Sequence, residues 1–243
     1  MINKFIRNSI FKLSSIYYCN DDSKVIFYHD IHHKKTYYEH STPFDLFKQH
    51  IETIRKNNLK IVNEITEKSN QVKLQFDDGY KGIHDCIEMI IELNVPIEVF
   101  VSTAFIGQKS YLTITQMNEL LKTGLVHFSS HTHNHVNLSE CDDKKIDYEL
   151  KKSKEVLEYI CNSNINSICY PFGSFSKKVM ELCESNGYQK QYSSLPGSFH
   201  NRFMSKVIRR NLVQHATNSE LKSVLKGAHQ IMNRRYLNNH FSE

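Results

Sequence analysis

The feature that most constrains the fold is a regular alternation of short apolar runs with amphipathic helical segments. Helical spacing is clearest in residues 143–160, where Ile146, Leu150 and Leu157 share one face and Lys and Glu occupy the other. The strand-like runs are residues 25–28, 72–76, 97–101, 126–129, 168–170, 188–193 and 207–213. Because strands that alternate with helices build parallel sheets, the sequence predicts an α/β fold with a mostly parallel sheet, open or closed into a barrel.

The length of the chain bears on its domain organisation. A chain of 243 residues is within the range of one α/β barrel domain, and no repeat, low-complexity tract or obvious linker divides it. We therefore predict a single domain over residues 1–243. Its core spans about 25–227, preceded by an N-terminal helix within residues 1–20 and followed by a frayed tail at 233–243.

Composition narrows the class of protein and of partner. Hydrophobic residues make up 40% and charged residues 23%, which is typical of soluble globular proteins, and no apolar run approaches the ~18 residues of a membrane-spanning helix. The formal net charge of +5 favours an anionic substrate or a membrane surface, but it is too diffuse to indicate nucleic-acid binding. Six cysteines without a CxxC pair are typical of reduced thiols in a cytosolic protein.

The N-terminal segment is basic and weakly amphipathic. Residues 1–18 lack the continuous apolar stretch and the small-residue cleavage site of a signal peptide. The segment is expected to form a short helix that docks on the domain, or alternatively one that lies on a membrane surface. The expected location is therefore the cytoplasm, and peripheral contact with a membrane is the alternative.

Polar residues of ligand type follow three of the predicted strands. Asp77 and Asp78 follow the strand at 72–76, and His131 and His135 follow the strand at 126–129. The Pro-Phe-Gly turn at 171–173 follows a third strand. Because parallel α/β folds build their sites at the carboxyl ends of strands, these groups are expected to meet in one site.

The adjacent carboxylates of Asp77 and Asp78 require a compensating charge. Two carboxylates at a buried strand end repel each other, and a cation is the simplest partner. Neighbouring side chains of an extended segment point to opposite sides, so one carboxylate can bind metal while the other acts separately. Capping of the following helix, with Ile83 and Ile87 on its apolar face, is the alternative for this pair.

His131 and His135 lie four positions apart, so both imidazoles can converge on one point. Two histidines and one carboxylate with open positions form the ligand set of a catalytic divalent cation; zinc suits it, and cobalt, nickel, iron or manganese could substitute. His133 alternates with them and is a candidate for a supporting or substrate contact. The alternative is a polar loop that is histidine-rich by chance in a chain with 14 histidines.

Three motifs in this order resemble one enzyme family. Phe-Asp-Asp-Gly at 76–79, His-Thr-x-x-His at 131–135 and Tyr-Pro-Phe-Gly at 170–173 are similar to the motifs of polysaccharide deacetylases, the NodB-homology carbohydrate esterases of family four. The resemblance covers about residues 25–227. Tyr-His-Asp at 28–30 looks most like the branch that includes deacetylases of poly-N-acetylglucosamine and of surface polysaccharides. The resemblance implies a distorted (β/α) barrel with a metal at its carboxyl end.

The resemblance also implies roles for individual residues. Asp77 matches the catalytic base of the family, and the metal ligands correspond to Asp78, His131 and His135. Pro171 and Phe172 match the third motif, in which the backbone N–H of the aromatic residue helps to bind the oxyanion.

The sequence departs from the family pattern in three places. Cys169 stands where the family has an arginine that pairs with the catalytic aspartate, and Arg209 or Arg210 could replace it; Arg210 is favoured. The fourth motif is absent, and the chain has no tryptophan. For the general acid, His215 is the only fit to the fifth motif, and His29 is the other candidate.

The predicted function is metal-dependent hydrolysis of the N-acetyl group of an amino sugar in surface-polysaccharide biosynthesis. The expected substrate is an N-acetylated sugar linked to a nucleotide or a lipid. One alternative is a sugar-binding protein that holds metal without hydrolysis, which the absent fourth motif suggests. The other is a hydrolase of a different non-peptide C–N bond, such as a formamide or a cyclic amide. Acetate release separates the three.

Overall fold

A computed structural model describes residues 4–242 of the chain, and a parallel sheet forms its centre. The strands of this sheet are β1 (Lys24–Tyr28), β4 (Lys60–Ile61), β5 (Gln71–Phe76), β6 (Ile97–Val101), β7 (Val126–Ser130), β8 (Ser167–Cys169), β10 (Lys190–Tyr192), β11 (Val207–Ile208) and β12 (Asn211–Leu212). Their order is β11-β10-β8-β7-β6-β5-β1-β12, with β4 also beside β5, and all pairs are parallel. Four short strands lie outside it: β2 (Ile31–His32) pairs with β3 (Thr42–Pro43), and β9 (Phe175–Ser176) with β13 (Phe241–Ser242).

The two ends of the sheet meet in one stretch of chain. β11 pairs with β10 at one end and β12 pairs with β1 at the other, and only Arg209 and Arg210 separate these two strands. The sheet is therefore curled, as the predicted distorted barrel requires. The strand predicted at 207–213 is interrupted at the two arginines, where the backbone N–H of Arg210 donates to Leu195 O and not to a strand of the sheet.

Helices surround the curled sheet. They are α1 (Lys4–Tyr17), α2 (Phe44–Lys56), α3 (Gly82–Asp85), α4 (Ile87–Leu93), α5 (Ile114–Lys122), α6 (Asp143–Cys161), α7 (Lys177–Ser185), α8 (Asn218–Leu225) and α9 (Asn233–His240). The main core lies between helices and sheet, whereas a smaller cluster that includes Val25, Phe100, Tyr192 and Ile208 fills the inside of the curl. The predicted α/β class and barrel type are confirmed.

Several helix starts follow directly from local sequence. Thr113 and Gln116 form a reciprocal capping box at the start of α5, and Thr217 and Glu220 form another at the start of α8. In each, the threonine hydroxyl accepts a backbone N–H, and the side chain three residues later accepts the N–H of the threonine. Such boxes satisfy N–H groups that the first turn of a helix cannot pair.

Helix α1 packs against the rest of the domain, which is one of the two arrangements expected for this segment. It packs against α8 and the 3₁₀ helix Ala228–Met232. The Ser14 hydroxyl donates to the carbonyl of Ala228 at 2.7 Å, and the Phe11 ring contacts His229. No helix within residues 4–242 is long and apolar enough to cross a bilayer.

The C-terminal segment is ordered, so the prediction of a frayed tail at 233–243 is wrong for the residues the structure describes. Residues 233–240 form α9, and β13 pairs with β9. The Phe241 ring contacts Phe175 and Phe203 at centroid distances of 5.4 and 5.0 Å. The sequence could not show this because α9 carries few apolar residues and is held by contacts with distant segments.

Candidate metal and hydrolase site

The residues that follow β5, β7 and β8 line one cavity of about 650 Å³. Strand hydrogen bonding continues just beyond the strands: the N–H of Asp77 donates to Tyr28 O, and that of His131 donates to Val101 O, both at 3.0 Å. Because the parallel strands of one sheet end at the same edge, the side chains that follow β5 and β7 meet there, as the sequence predicts. Asp77, Asp78, His131, His135 and Phe172 all line the cavity.

Three side chains of this cavity form a ligand set for a divalent cation. Asp78 Oδ1 lies 3.4 Å from His131 Nε2 and 3.2 Å from His135 Nε2. This carboxylate oxygen is buried and has no well-aligned hydrogen bond, which is costly unless another group satisfies it. Tetrahedral zinc with bonds of about 2.05 Å separates its ligand atoms by about 3.3 Å, so the spacing fits a zinc ion.

The surroundings of His131 determine which of its nitrogens is available to a metal. Its Nδ1 lies 2.7 Å from the carbonyl oxygen of Cys169, and a carbonyl can only accept. Nδ1 therefore carries a proton, and Nε2, which faces Asp78, is the nitrogen that a metal could bind in place of a proton. An imidazole held through its second nitrogen is the usual support of a metal-binding histidine.

The backbone at the ligands adopts an uncommon conformation. Asp78, Thr132, His135 and Phe172 have positive φ angles of 71°, 65°, 54° and 59°. Residues other than glycine adopt this region at a cost of about 1–3 kcal/mol each, and such residues concentrate at functional sites. The concentration of four of them around one cavity supports a functional role for it.

Glu149 holds the histidine loop in place, and sequence reasoning missed it. Its buried carboxylate accepts the backbone N–H of His133 at 2.9 Å and that of Asn134 at 2.7 Å, and it also accepts from the Asn134 side chain. Lys145 offsets its charge at 2.8 Å. The sequence feature that could have identified it is a carboxylate on the buried face of α6, beside Ile146 and Leu150. His133 itself hydrogen-bonds Thr103 and does not line the cavity.

Asp77 is paired with Arg210 rather than with a ligand residue. The guanidinium donates two bonds to the carboxylate, Nη1 to Oδ1 at 2.7 Å and Nη2 to Oδ2 at 2.8 Å. The Nε of Arg210 donates to Ser193 O, and its Cζ atom lies 4.1 Å from the centre of the Phe27 ring. Burial raises the pKa of Asp77, but the charge of Arg210 and its hydrogen bonds outweigh this, so the pKa lies below its ordinary value.

A second group of possible ligands overlaps the first. Asp77, His131 and Cys169 also lie close together, with Cys169 Sγ 4.0 Å from Asp77 Oδ2. A cation there would have to displace Arg210, because both carboxylate oxygens of Asp77 accept hydrogen bonds from it. The set of Asp78, His131 and His135 requires no such rearrangement.

The two candidates for the general acid occupy different places. His29 lines the cavity, and its Nδ1 bonds to Gln214 Oε1 at 2.8 Å. His215 is exposed and lies in a neighbouring cavity, with its ring 5.6 Å from that of His40. The structure places His215 beside this neighbouring cavity, which Gln214 also lines, and its role as general acid stays a prediction. Of the two candidates, His29 is the one that lines the cavity of Asp77.

The turn at 171–173 forms the rim of the cavity. Pro171 is buried, whereas the Phe172 side chain is 59% exposed and its ring lies 4.7 Å from that of His135. Gly173 has a positive φ of 70°, and a Cβ there would lie 2.6 Å from the Ser194 hydroxyl. The oxyanion role of the Phe172 N–H stays a prediction.

Helix α9 forms a wall of the cavity that the sequence did not indicate. Its side of the cavity is lined by Met232, at the start of the helix, and by Arg235, Tyr236, Asn239 and His240. These positions repeat at intervals of three and four and therefore form one helical face.

Comparison with known proteins places this site in a family. Residues 64–190 match the family model described as polysaccharide deacetylase. YxkH of Bacillus subtilis, provisionally named a polysaccharide deacetylase, is 25% identical over 147 residues, which are 60% of this chain and 52% of its own. The poly-β-1,6-N-acetyl-D-glucosamine N-deacetylase of Staphylococcus epidermidis is 26% identical over 132 residues, 49% of this chain and 46% of its own. The chain thus spans about half the length of these relatives.

Solved structures show the same fold. The Streptococcus pyogenes deacetylase PplD, in complex with acetate, superposes with a TM-score of 0.73 at 21% identity over 84% of this chain and 98% of that one. IcaB from Ammonifex degensii gives a TM-score of 0.73 at 17% identity over 87% and 98%. The family model covers more than half of the chain and includes both ligand motifs. The chain therefore belongs to the polysaccharide deacetylase family.

Proposed function

We propose that the protein is a metal-dependent hydrolase that removes the N-acetyl group from an amino sugar of a surface polysaccharide or of its precursor. One observation carries the proposal: the ionised, arginine-paired Asp77 stands beside a separate three-residue ligand set in an open cavity. A site with only structural metal would need four protein ligands and no neighbouring base.

Asp78, His131 and His135 would hold the cation. When bound, it supplies a Lewis acid for the acetamide carbonyl and lowers the pKa of the attacking water. Two imidazoles and one carboxylate suit zinc, and cobalt, nickel, iron or manganese accept the same donors.

The remaining steps belong to side chains and backbone of this chain. Asp77 stays ionised at neutral pH because of Arg210, so it can accept the proton of the water as the water attacks. The backbone N–H of Phe172 is proposed to stabilise the developing oxyanion. His29 is proposed to protonate the leaving amine. Gln214 Oε1 accepts a hydrogen bond from Nδ1–H, so a second proton, carried on Nε2 of the imidazolium form, would be the one transferred to the amine.

The substrate class rests on the relatives. Those named as deacetylases of poly-β-1,6-N-acetyl-D-glucosamine support an N-acetylated hexosamine as substrate. A link of that sugar to a nucleotide or a lipid is part of the proposal. The cytoplasmic location stays a prediction. Contact of α1 with a membrane surface also stays a prediction, and the exposed side chains of Leu13, Ile16 and Tyr17 on this helix are what favour it.

Acetate release tests the proposal directly. Free N-acetylglucosamine, its β-1,6-linked oligomer and its uridine-diphosphate ester would each be incubated with metal-stripped protein, with and without added zinc. We expect acetate from at least one of them, and only with zinc. Zinc binding without acetate or formate from N-acetylated and N-formylated sugars would instead favour a non-hydrolytic sugar-binding protein, whereas activity on a cyclic amide alone would favour the third class.

Substituting the two candidate histidines distinguishes their roles. His29→Gln is expected to lower kcat by roughly 10²- to 10⁴-fold, because an amide cannot donate the proton that the leaving amine needs. His215→Gln, a matched change at an exposed position outside the cavity, is expected to alter kcat by less than about threefold. Initial rates of acetate release at saturating sugar measure both. The reverse order of effects would return the acid role to His215.

A further inference from the structure

The cavity wall formed by α9 carries a cationic side chain, Arg235, without an acidic partner among residues 4–242. Arg235 lines the cavity and is exposed to it, and none of the ion pairs among residues 4–242 involves it. Of the other charged groups of the cavity, Asp77 is paired with Arg210, and Asp78 belongs to the ligand set of the proposed cation, whose two charges exceed its one. A bound divalent cation would add to the positive charge. The cavity is therefore suited to a ligand that brings negative charge.

Arg235 acts from a fixed surface and not from a loose terminus. α9 is held at one end by Asn233, whose side-chain oxygen accepts a hydrogen bond from Arg209 at 2.5 Å. At the other end it continues into β13, which pairs with β9, and Phe241 packs on Phe175. The wall is thus fixed to the same turn region that precedes β9 and contains Phe172.

Two further polar side chains share the face of Arg235. Asn239 is one helical turn further along α9 and also lines the cavity. His240 follows it, but its ring N–H donates to the backbone carbonyl of Phe172, so it serves to hold α9 to this turn. A guanidinium with an amide N–H donor one helical turn away suits phosphate oxygens, since the planar fork of arginine binds two of them at once.

We propose that Arg235, with Asn239, forms a subsite for a phosphate group carried by the amino-sugar substrate. The inference rests on the proposed function and deepens it. It names a sugar phosphate or diphosphate ester, and not a neutral glycan, as the preferred substrate of the cavity. A nucleoside diphosphate and a lipid diphosphate present the same group, and the two are separated by experiment.

The test measures acetate release by the full chain, with zinc added, from three substrates. They are a neutral β-1,6-linked N-acetylglucosamine oligomer, uridine-diphosphate N-acetylglucosamine and farnesyl-diphosphate N-acetylglucosamine. Arg235→Ala is compared with the neighbouring Arg234→Ala, which removes the same charge from an exposed residue outside the cavity. Loss of one charged hydrogen-bond donor should lower kcat/KM for the diphosphate substrates by roughly 10- to 100-fold, mainly through KM. The neutral oligomer should change by less than about threefold, and Arg234→Ala should change none of them.

Two results would overturn the subsite: an equal loss on all three substrates, which would indicate contacts to the sugar itself, or no loss on any. Whichever diphosphate has the higher kcat/KM in the wild type identifies the carrier. If no substrate releases acetate, the proposed hydrolase function fails, and calorimetric binding of uridine-diphosphate N-acetylglucosamine then decides the subsite alone. Binding at least tenfold weaker in Arg235→Ala than in Arg234→Ala would sustain it, and equal binding would refute it.

Discussion

Replacing Asp77 with asparagine is expected to lower the rate of acetate release by roughly 10²- to 10⁴-fold while zinc remains bound. Asparagine keeps the size of the side chain but cannot accept a proton from water. The carboxylate is suited to that task in the wild type because it is buried beside the cation site and Arg210 keeps its pKa below the ordinary value. Initial rates and zinc content by elemental analysis measure the two effects separately.

The neighbouring aspartate provides the matched control. Asp78→Asn is expected to lose zinc as well as activity, because Asp78 supplies the oxygen that faces both histidine nitrogens. If Asp77→Asn also lost its zinc, the overlapping group of Asp77, His131 and Cys169 would be the ligand set instead. If Asp77→Asn kept full activity, another base would be required.

Replacing Arg210 with methionine is expected to lower the free energy of unfolding by about 3–5 kcal/mol, since it leaves the buried carboxylate of Asp77 without a partner charge. Arg210 is 1% exposed, and both of its terminal nitrogens donate to that carboxylate. The double variant Asp77→Asn/Arg210→Met removes the uncompensated charge and should recover a measurable part of the loss. Urea denaturation of the single and double variants gives the coupling free energy.

Arg209 is the control for this cycle. It is also buried, but its guanidinium donates to neutral oxygens of Asn201, Pro196 and Asn233. Arg209→Met should therefore be destabilising without any recovery when Asp77→Asn is added. Equal recovery for both arginines, or none for Arg210, would show that the ion pair is not what stabilises Asp77.

The fold and the ligand set could be predicted because local signals determine them. Apolar runs such as 72–76 and 97–101 fix buried parallel strands, and such strands place Asp78, His131 and His135 at one edge. For the arginine expected at position 169, the sequence offers Arg209 or Arg210, on a later strand, and favours Arg210. Only the three-dimensional arrangement shows that Arg210 enters the curl and Arg209 does not.

The features that sequence reasoning missed depend on contacts between distant segments. α9 has few apolar positions, so its spacing indicates no helix, and it becomes a cavity wall because Asn233 and Phe241 are held by other parts of the chain. Motif position favours His215, but the structure places it beside a neighbouring cavity, whereas His29 lines the cavity of Asp77. Glu149 looked like one more charge on an exposed helix, although its carboxylate is buried.

The most direct test of the central claim is a zinc titration of the metal-free wild type, with acetate release from its best sugar substrate followed at each step. If a single cation held by Asp78, His131 and His135 drives the hydrolysis, the rate should rise linearly and reach a plateau at one zinc per chain. X-ray absorption at that point should show only nitrogen and oxygen neighbours at about 2.0–2.2 Å. A rate independent of zinc, or a sulfur neighbour at about 2.3 Å from Cys169, would contradict it.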